Sequence, residues 1–200
     1  LTVMNSSANQ SINRQHSFNS PVLQATSGKY LIYNLGGNGF KIEGSSDTIY
    51  SGNTSNNIIA GDIAGSGRYA LVTETQGYPS SLSVYLTDNT VQYKYDFSEY
   101  YVTDISLNSD GTRAAVSGIT AKDGGIVSAV YIFDFSNPEP ISILTYNEVL
   151  MEKVEYMDNG TVAAIGDTTT SMINGTTGEK VDYNYQSRQM TDYAIDKNRV

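Results

Sequence analysis

Two pairs of short segments recur along the chain with their turn residues in register. Residues 27–33 (SGKYLIY) match 66–72 (SGRYALV), with Ser, Gly, a cation and Tyr in the same order. Gly111 in DGTRAAV and Gly160 in NGTVAAI hold one place in a turn. Gly28, Gly67, Gly111 and Gly160 are 39, 44 and 49 residues apart. A unit of that length accommodates four short strands and cannot bury both of its faces alone, so neighbouring units must stack. That is the requirement of a propeller blade.

Residues 102–135 show the unit most fully. Thr103, Ile105 and Leu107 alternate with Asp104 and Ser106, the period of a strand. Asn108-Ser109-Asp110-Gly111 then supplies side-chain acceptors and a positive-φ glycine for a tight turn. Arg113–Gly118 reads as a second strand of small residues, and Val127–Phe135 as a third. Val127, Ala129, Tyr131, Phe133 and Phe135 point one way, Val130 and Ile132 the other. A strand apolar on both faces has to be covered on both.

The fold class expected is therefore all-β, a β-propeller of four-stranded antiparallel blades. Third strands recur at 40–44, 82–88, 129–135 and 170–175. First strands align at Gly61-Asp62-Ile63, Thr103-Asp104-Ile105, Glu152-Lys153-Val154 and Thr191-Asp192-Tyr193. These place blades at 19–57, 58–101, 102–150 and 151–189, a half blade at 1–18 with strands at 1–5 and 12–18, and the first strand of a next blade at 190–200. Residues 147–156 (NEVLMEKVEY) are read as a connection running into a strand, not a helix. The two ends pair into one shared blade, or the chain is an arc of a larger ring. An open arc exposes strand edges that invite pairing with a second copy, so a homodimer is an expectation of this reading.

Composition narrows the partners. The formal charge is −9, against the basic surface that nucleic acid and anionic lipid demand. The absence of cysteine excludes disulfides, zinc–thiolate sites and cysteine catalysis. No run approaches the roughly 18 apolar residues of a membrane helix. The chain opens at Leu1 and ends at Val200 inside a strand-like run, so it is read as an internal piece of a longer protein.

TSGKYLIYNLGGNGFKI (26–42), SGRYALVTETQGYPSSLSVY (66–85), SDGTRAAVSG (109–118) and VYIFDF (130–135), in that order, resemble an uncharacterised Firmicute family, domain-of-unknown-function family 5711. The resemblance covers essentially the whole chain. It implies a short cytoplasmic part, one transmembrane helix, and an external propeller of the WD40-like or quinoprotein-like kind. Localisation would then be extracytoplasmic, with the tether outside this chain. No activity and no cofactor come with it.

Several residues bear on chemistry. Asp62, Asp104 and Asp192 stand at blade starts, along the channel. A carboxylate ring there could hold calcium; acceptance of backbone hydrogen bonds from a neighbouring turn or blade is the reading preferred, and Lys153 breaks the series. No metal is assigned. Thr177-Gly178-Glu179-Lys180 resembles the turn of quinoprotein blades, but those dock a Trp that this chain lacks, so it is read as a hairpin turn. Gly36-Gly37-Asn38-Gly39 is a hairpin turn or bulge, without the Lys-Ser/Thr and helix of a phosphate loop. His16 is the single histidine, expected on an edge strand, and makes neither a zinc site nor a triad. The pairs Glu152/Glu155 and Asp96/Glu99 are the nearest thing to glycosidase carboxylates. Tyr93, Tyr95, Tyr100 and Tyr101 cluster in and after an outer strand, and Tyr183 and Tyr185 recur at the equivalent place. Tyrosine suits protein interfaces and sugar stacking, so the first four are the candidate partner-binding residues. The function expected is a non-catalytic scaffold that binds a protein or cell-envelope component, with a glycan-binding or glycan-active propeller as the alternative.

Overall fold

The computed structural model describes residues 1–4 and 7–196. These form a two-stranded sheet, β1 (Thr2–Met4) with β2 (Gln10–Asn13), and four four-stranded antiparallel sheets. Blade one is β3 (Pro21–Thr26), β4 (Lys29–Asn34), β5 (Gly39–Gly44) and β6 (Thr48–Asn53). Blade two is β7 (Ile58–Ile63), β8 (Tyr69–Thr73), β9 (Ser80–Tyr85) and β10 (Val91–Phe97). Blade three is β11 (Tyr101–Leu107), β12 (Arg113–Lys122), β13 (Gly125–Asp134) and β14 (Ser142–Asn147). Blade four is β15 (Met151–Tyr156), β16 (Thr161–Gly166), β17 (Thr169–Asn174) and β18 (Lys180–Asn184). In each, consecutive strands are neighbours, an up-and-down meander. The fold is a β-propeller.

The repeated glycines explain the meander. Gly28, Gly67, Gly111 and Gly160 all have φ between 69° and 92°, a region that a Cβ penalises. Around Gly111, Asn108 Oδ1 accepts the N–H groups of Thr112 and Arg113, both at 2.9 Å, and so holds the turn from β11 to β12.

Apolar side chains alternate to both sides of each sheet and interlock with the next. Tyr33, Phe40, Leu71 and Tyr69 fill the space between blades one and two. Val84, Phe97, Ile105 and Phe133 fill that between two and three. Val130, Ile132, Met151 and Ile173 fill that between three and four. The two faces of β13 divide as their alternation requires, Phe133 to blade two and Ile132 to blade four.

Three details depart from the sequence reading. The strand read through 12–18 stops at Asn13, and His16 lies in the unpaired stretch after it, its ring 5.5 Å from that of Phe18. Blade three begins at Tyr101, one residue inside the range drawn for blade two. Residues 190–195 form no strand, and 197–200 of the expected strand lie outside the described residues.

A further departure, in register, matters most. Each innermost strand of blades two to four carries a bulge, between Ile58 and Ala60, Val102 and Asp104, and Met151 and Lys153. A bulge adds a residue without moving the rest of the ladder. Counting from it, Ala60, Asp104 and Lys153 are equivalent, and so are Asp62, Ser106 and Glu155. The alignment of Asp62 with Asp104 is therefore off by two residues. It was drawn to an acid followed by isoleucine, and an offset of two keeps both acids on one face of the strand.

Candidate functional site

The innermost strands bring the ionisable residues together. The Leu107 N–H donates to Asp62 Oδ2 at 2.7 Å, and the Val154 N–H to Asp104 Oδ2 at 2.9 Å. Ser106, in the place of Asp62 one blade on, accepts the Tyr156 N–H at 2.9 Å. A second row runs along the third strands, where Ser80 Oγ accepts from Val102 N–H and Ser128 Oγ from Met151 N–H, both at 3.0 Å. Each accepting side chain satisfies a backbone donor of the following blade that has no partner in its own sheet. Replacing Ser106 by Ala orphans the buried Tyr156 N–H, with an expected cost of about 1–3 kcal/mol in a urea melt; an unchanged midpoint would show that water substitutes for the hydroxyl.

Charge gathers on the same face. Lys153 Nζ lies 3.2 Å from Asp104 Oδ2 and 3.6 Å from Glu155 Oε2. Burial raises the pKa of Asp104, against the pull of Lys153 and the Val154 N–H. Burial likewise raises that of Glu155, Lys153 again opposing. For Lys153 burial works against the charge, but Asp104 and Glu155 outweigh it and hold the amine above its ordinary value. Asp62 is pushed up to about 7, first by burial and further by Glu155, although two backbone N–H groups and Lys153 act the other way. Asp62 and Asp104 each commit one carboxylate oxygen, Oδ2, to a seam between blades. Asp192 stands apart, exposed, accepting the N–H of Tyr193 at 2.8 Å.

The tyrosine cluster does not form one surface. Tyr93 is 8% exposed and Tyr100 is buried. Tyr93, Tyr95 and Tyr100 pack against Phe133 and Tyr131 of blade three, with Tyr95 edge-on to Phe133 at 5.1 Å. The Tyr93 hydroxyl donates to the Pro138 carbonyl at 2.8 Å, and burial raises its pKa to about 12. These three belong to the core between two blades and are withdrawn as partner-binding residues. Alternation along β10 turns Tyr93 and Tyr95 to one face, and the neighbouring sheet covers that face. Tyr101 alone of the four is open, at 62% exposure.

Tyr101 has company that the sequence reading passed over. β12 and β13 are ten residues each, against five to seven in the other strands of the four blades, and close on a turn with Asp123 and Gly124 at φ 52° and 81°. Tyr101 pairs with Ile119, and Ala121 with Ile126. Those four side chains share one face of a hairpin that continues beyond the end of β11, with Ile126 48% exposed. The unbroken run of strand-forming residues on both sides of Asp123-Gly124 was the available signal.

Among the other sequence candidates, Asp96, Glu99 and Glu152 are exposed, and Glu155 turns to Lys153. Thr177–Lys180 connects β17 to β18, with Gly178 at φ 75°. Residues 35–38 connect β4 to β5. A cleft of about 660 Å³ lies against blade four, lined by Ile165, Met172, Tyr183, Tyr185, Arg188 and Tyr193 among others. Among the described residues no cluster of three or more His, Asp or Glu is placed to hold a metal ion. Among the described residues no helix is long and apolar enough to cross a membrane.

Known proteins place the fold. Among solved structures the chain is similar to "KlHsv2 with loop 6CD replaced by a Gly-Ser linker", with a TM-score of 0.66 and 10% identity over 96% of this chain and 60% of that one. It is similar to Hsv2p of Kluyveromyces lactis with a TM-score of 0.59 and 14% identity, over 87% of this chain and 55% of that one. Both are β-propellers, and the likeness is one of fold. The chain thus spans little more than half the length of these relatives. No curated protein matches it. The chain belongs to the Family of unknown function (DUF5711), whose model matches residues 1–198.

Proposed function

We propose that this propeller is a non-catalytic scaffold that binds a protein of the cell envelope, outside the cytoplasm, tethered by a helix beyond the residues present here. The observation that carries the binding role is the hairpin β12–β13. It sets Tyr101, Ile119, Ala121 and Ile126 on one face of a rigid, tightly turned ribbon, open to solvent at its end. Aromatic and aliphatic side chains held in one geometry lose little entropy on contact, which suits a protein–protein anchor. The channel-side acids Asp62 and Asp104 support the non-catalytic part, because each has one oxygen engaged with a backbone donor of the next blade. Extracytoplasmic tethering rests on the family resemblance.

The test immobilises the protein against an envelope extract of its own organism, beside a glycan array. The wild type is expected to capture a defined protein, and the Tyr101→Ser/Ile126→Lys variant to lose it at an unchanged melting temperature. Capture that survives both substitutions moves the surface elsewhere. Glycan binding without a protein partner replaces this reading with a sugar-binding propeller.

A further inference from the structure

The ladders allow each blade to be compared with the next, row by row. Across blade two, one row is Asp62–Ala70–Val84–Tyr93 and the next Ala60–Val72–Leu82–Tyr95. In blade three the same rows are Ser106–Ala115–Ile132–Ser142 and Asp104–Ser117–Val130–Leu144. In blade four they are Glu155–Ala163–Met172–Val181 and Lys153–Ile165–Thr170–Tyr183. The apolar members in blade two are packed against blade three, and those in blade three against blade four. Blade four carries the same apolar face, but Val181 is 74% and Tyr183 72% exposed. Tyr95, in the place of Tyr183, is packed against the next blade's core.

Polar positions repeat as well. Asp62 and Ser106 accept an N–H from the following innermost strand, and Glu155 stands in their place. Ser80 and Ser128 do the same from the third strand, and Thr168 holds their place in blade four. In each following innermost strand the residue whose N–H donates to that serine comes five residues after an outer-strand aromatic: Val102 after Phe97, Met151 after Tyr146. Tyr185 is equivalent to these, and five residues on is Met190, whose N–H donates to the Asp167 carbonyl at 2.8 Å. Beyond it, Tyr193, Ile195 and Asp196 line a cleft with Lys153 and Glu155 of β15.

We infer that the outward face of β15–β18 seats a fifth four-stranded blade of the same polypeptide, with residues 190–196 as its innermost strand. The segment shares a cleft with β15, as the innermost strand of a following blade, β11, packs on β7. The occupant is sheet because the face continues, position for position, the faces that blade two presents to blade three and blade three to blade four. Completion of the blade covers Val181 and Tyr183 and gives the Glu155 carboxylate the N–H of Ile195, the counterpart of Leu107 and Tyr156.

Residues 1–200 contain no cysteine, so a thiol introduced among them reports its own position once any cysteine elsewhere in the reading frame is replaced by Ser. Val181→Cys, or Tyr183→Cys as a second reporter, is compared with Tyr101→Cys in the product of the complete natural reading frame, by maleimide labelling. Thiols at 181 and 183 are expected to react at least about tenfold more slowly than at 101 and at every protein concentration, since labelling would require local opening of the seam. Equal rates at 181, 183 and 101 overturn the inference. So does protection that appears only as concentration rises, because a second copy would then be the cover.

Discussion

Replacing Asp62 by Asn is expected to stabilise the protein at pH 7.5 and to flatten its stability between pH 4 and 7. The Asp62 carboxyl has its pKa raised to about 7 from an ordinary 3.8. The folded state therefore binds this proton more tightly than the unfolded chain does. Below pH 3.8 both states carry it and there is no difference. As pH rises towards 7 the unfolded chain has released the proton while the folded chain still holds it, so stability falls across that window. The shift corresponds to at most about 4 kcal/mol, and the true figure is smaller to the extent that the partly exposed carboxylate retains water. Asn keeps an oxygen for the Leu107 N–H and cannot ionise. Urea midpoints of wild type and variant at half-unit pH steps measure the difference directly. Parallel curves from pH 4 to 7.5 would place the titration of Asp62 elsewhere. Asp104 and Glu155, whose pKa values are also raised, contribute the same sign to the wild-type curve, which is why the difference between the two proteins is the quantity to read.

Phe133→Ala is expected to be the most damaging single substitution in the core, at about 3–5 kcal/mol in a urea melt. Phe133 is fully buried, with the rings of Tyr93, Tyr95, Phe97 and Tyr131 between 5.1 and 6.2 Å from its own. Three of those rings come from blade two, so the cavity would open in the seam between two blades and not within one sheet. Collapse to fill it would require one blade to move against the other, which the backbone bonds from Leu107 and Val102 to blade two resist. Tyr101→Ala, on the open hairpin, serves as the control and is expected to change stability by under about 0.5 kcal/mol. A loss below about 1 kcal/mol for Phe133→Ala would show that the blades adjust freely.

The two substitutions bracket what could be read from the chain alone. The alternation of Val127 to Phe135 told both that β13 is a strand and that each face is covered, because side-chain direction in a strand has a period of two and needs no tertiary information. The purpose of Asp62 and Asp104 was also within reach, since acceptance of backbone hydrogen bonds was the preferred reading of them. Their mutual alignment was not, because a bulge leaves no mark in residue type and only the hydrogen-bond ladder shows where the extra residue sits.

Tyrosine marks the boundary most clearly. Tyr95 and Tyr183 hold one position in the outer strands of blades two and four, and no local property separates them. One is core because blade three lies over it, and the other is surface because among the described residues no sheet does. The sequence by itself determined the strands, the glycine turns and the stacking of blades, all of which depend on near neighbours along the chain. Only the tertiary structure decided the register of the innermost strands, the hydrogen bonds that join one blade to the next, and which aromatic faces remain open, since the first is set by backbone pairing with the adjoining strand and the others by the neighbouring blade, 22 to 50 residues away for the hydrogen bonds.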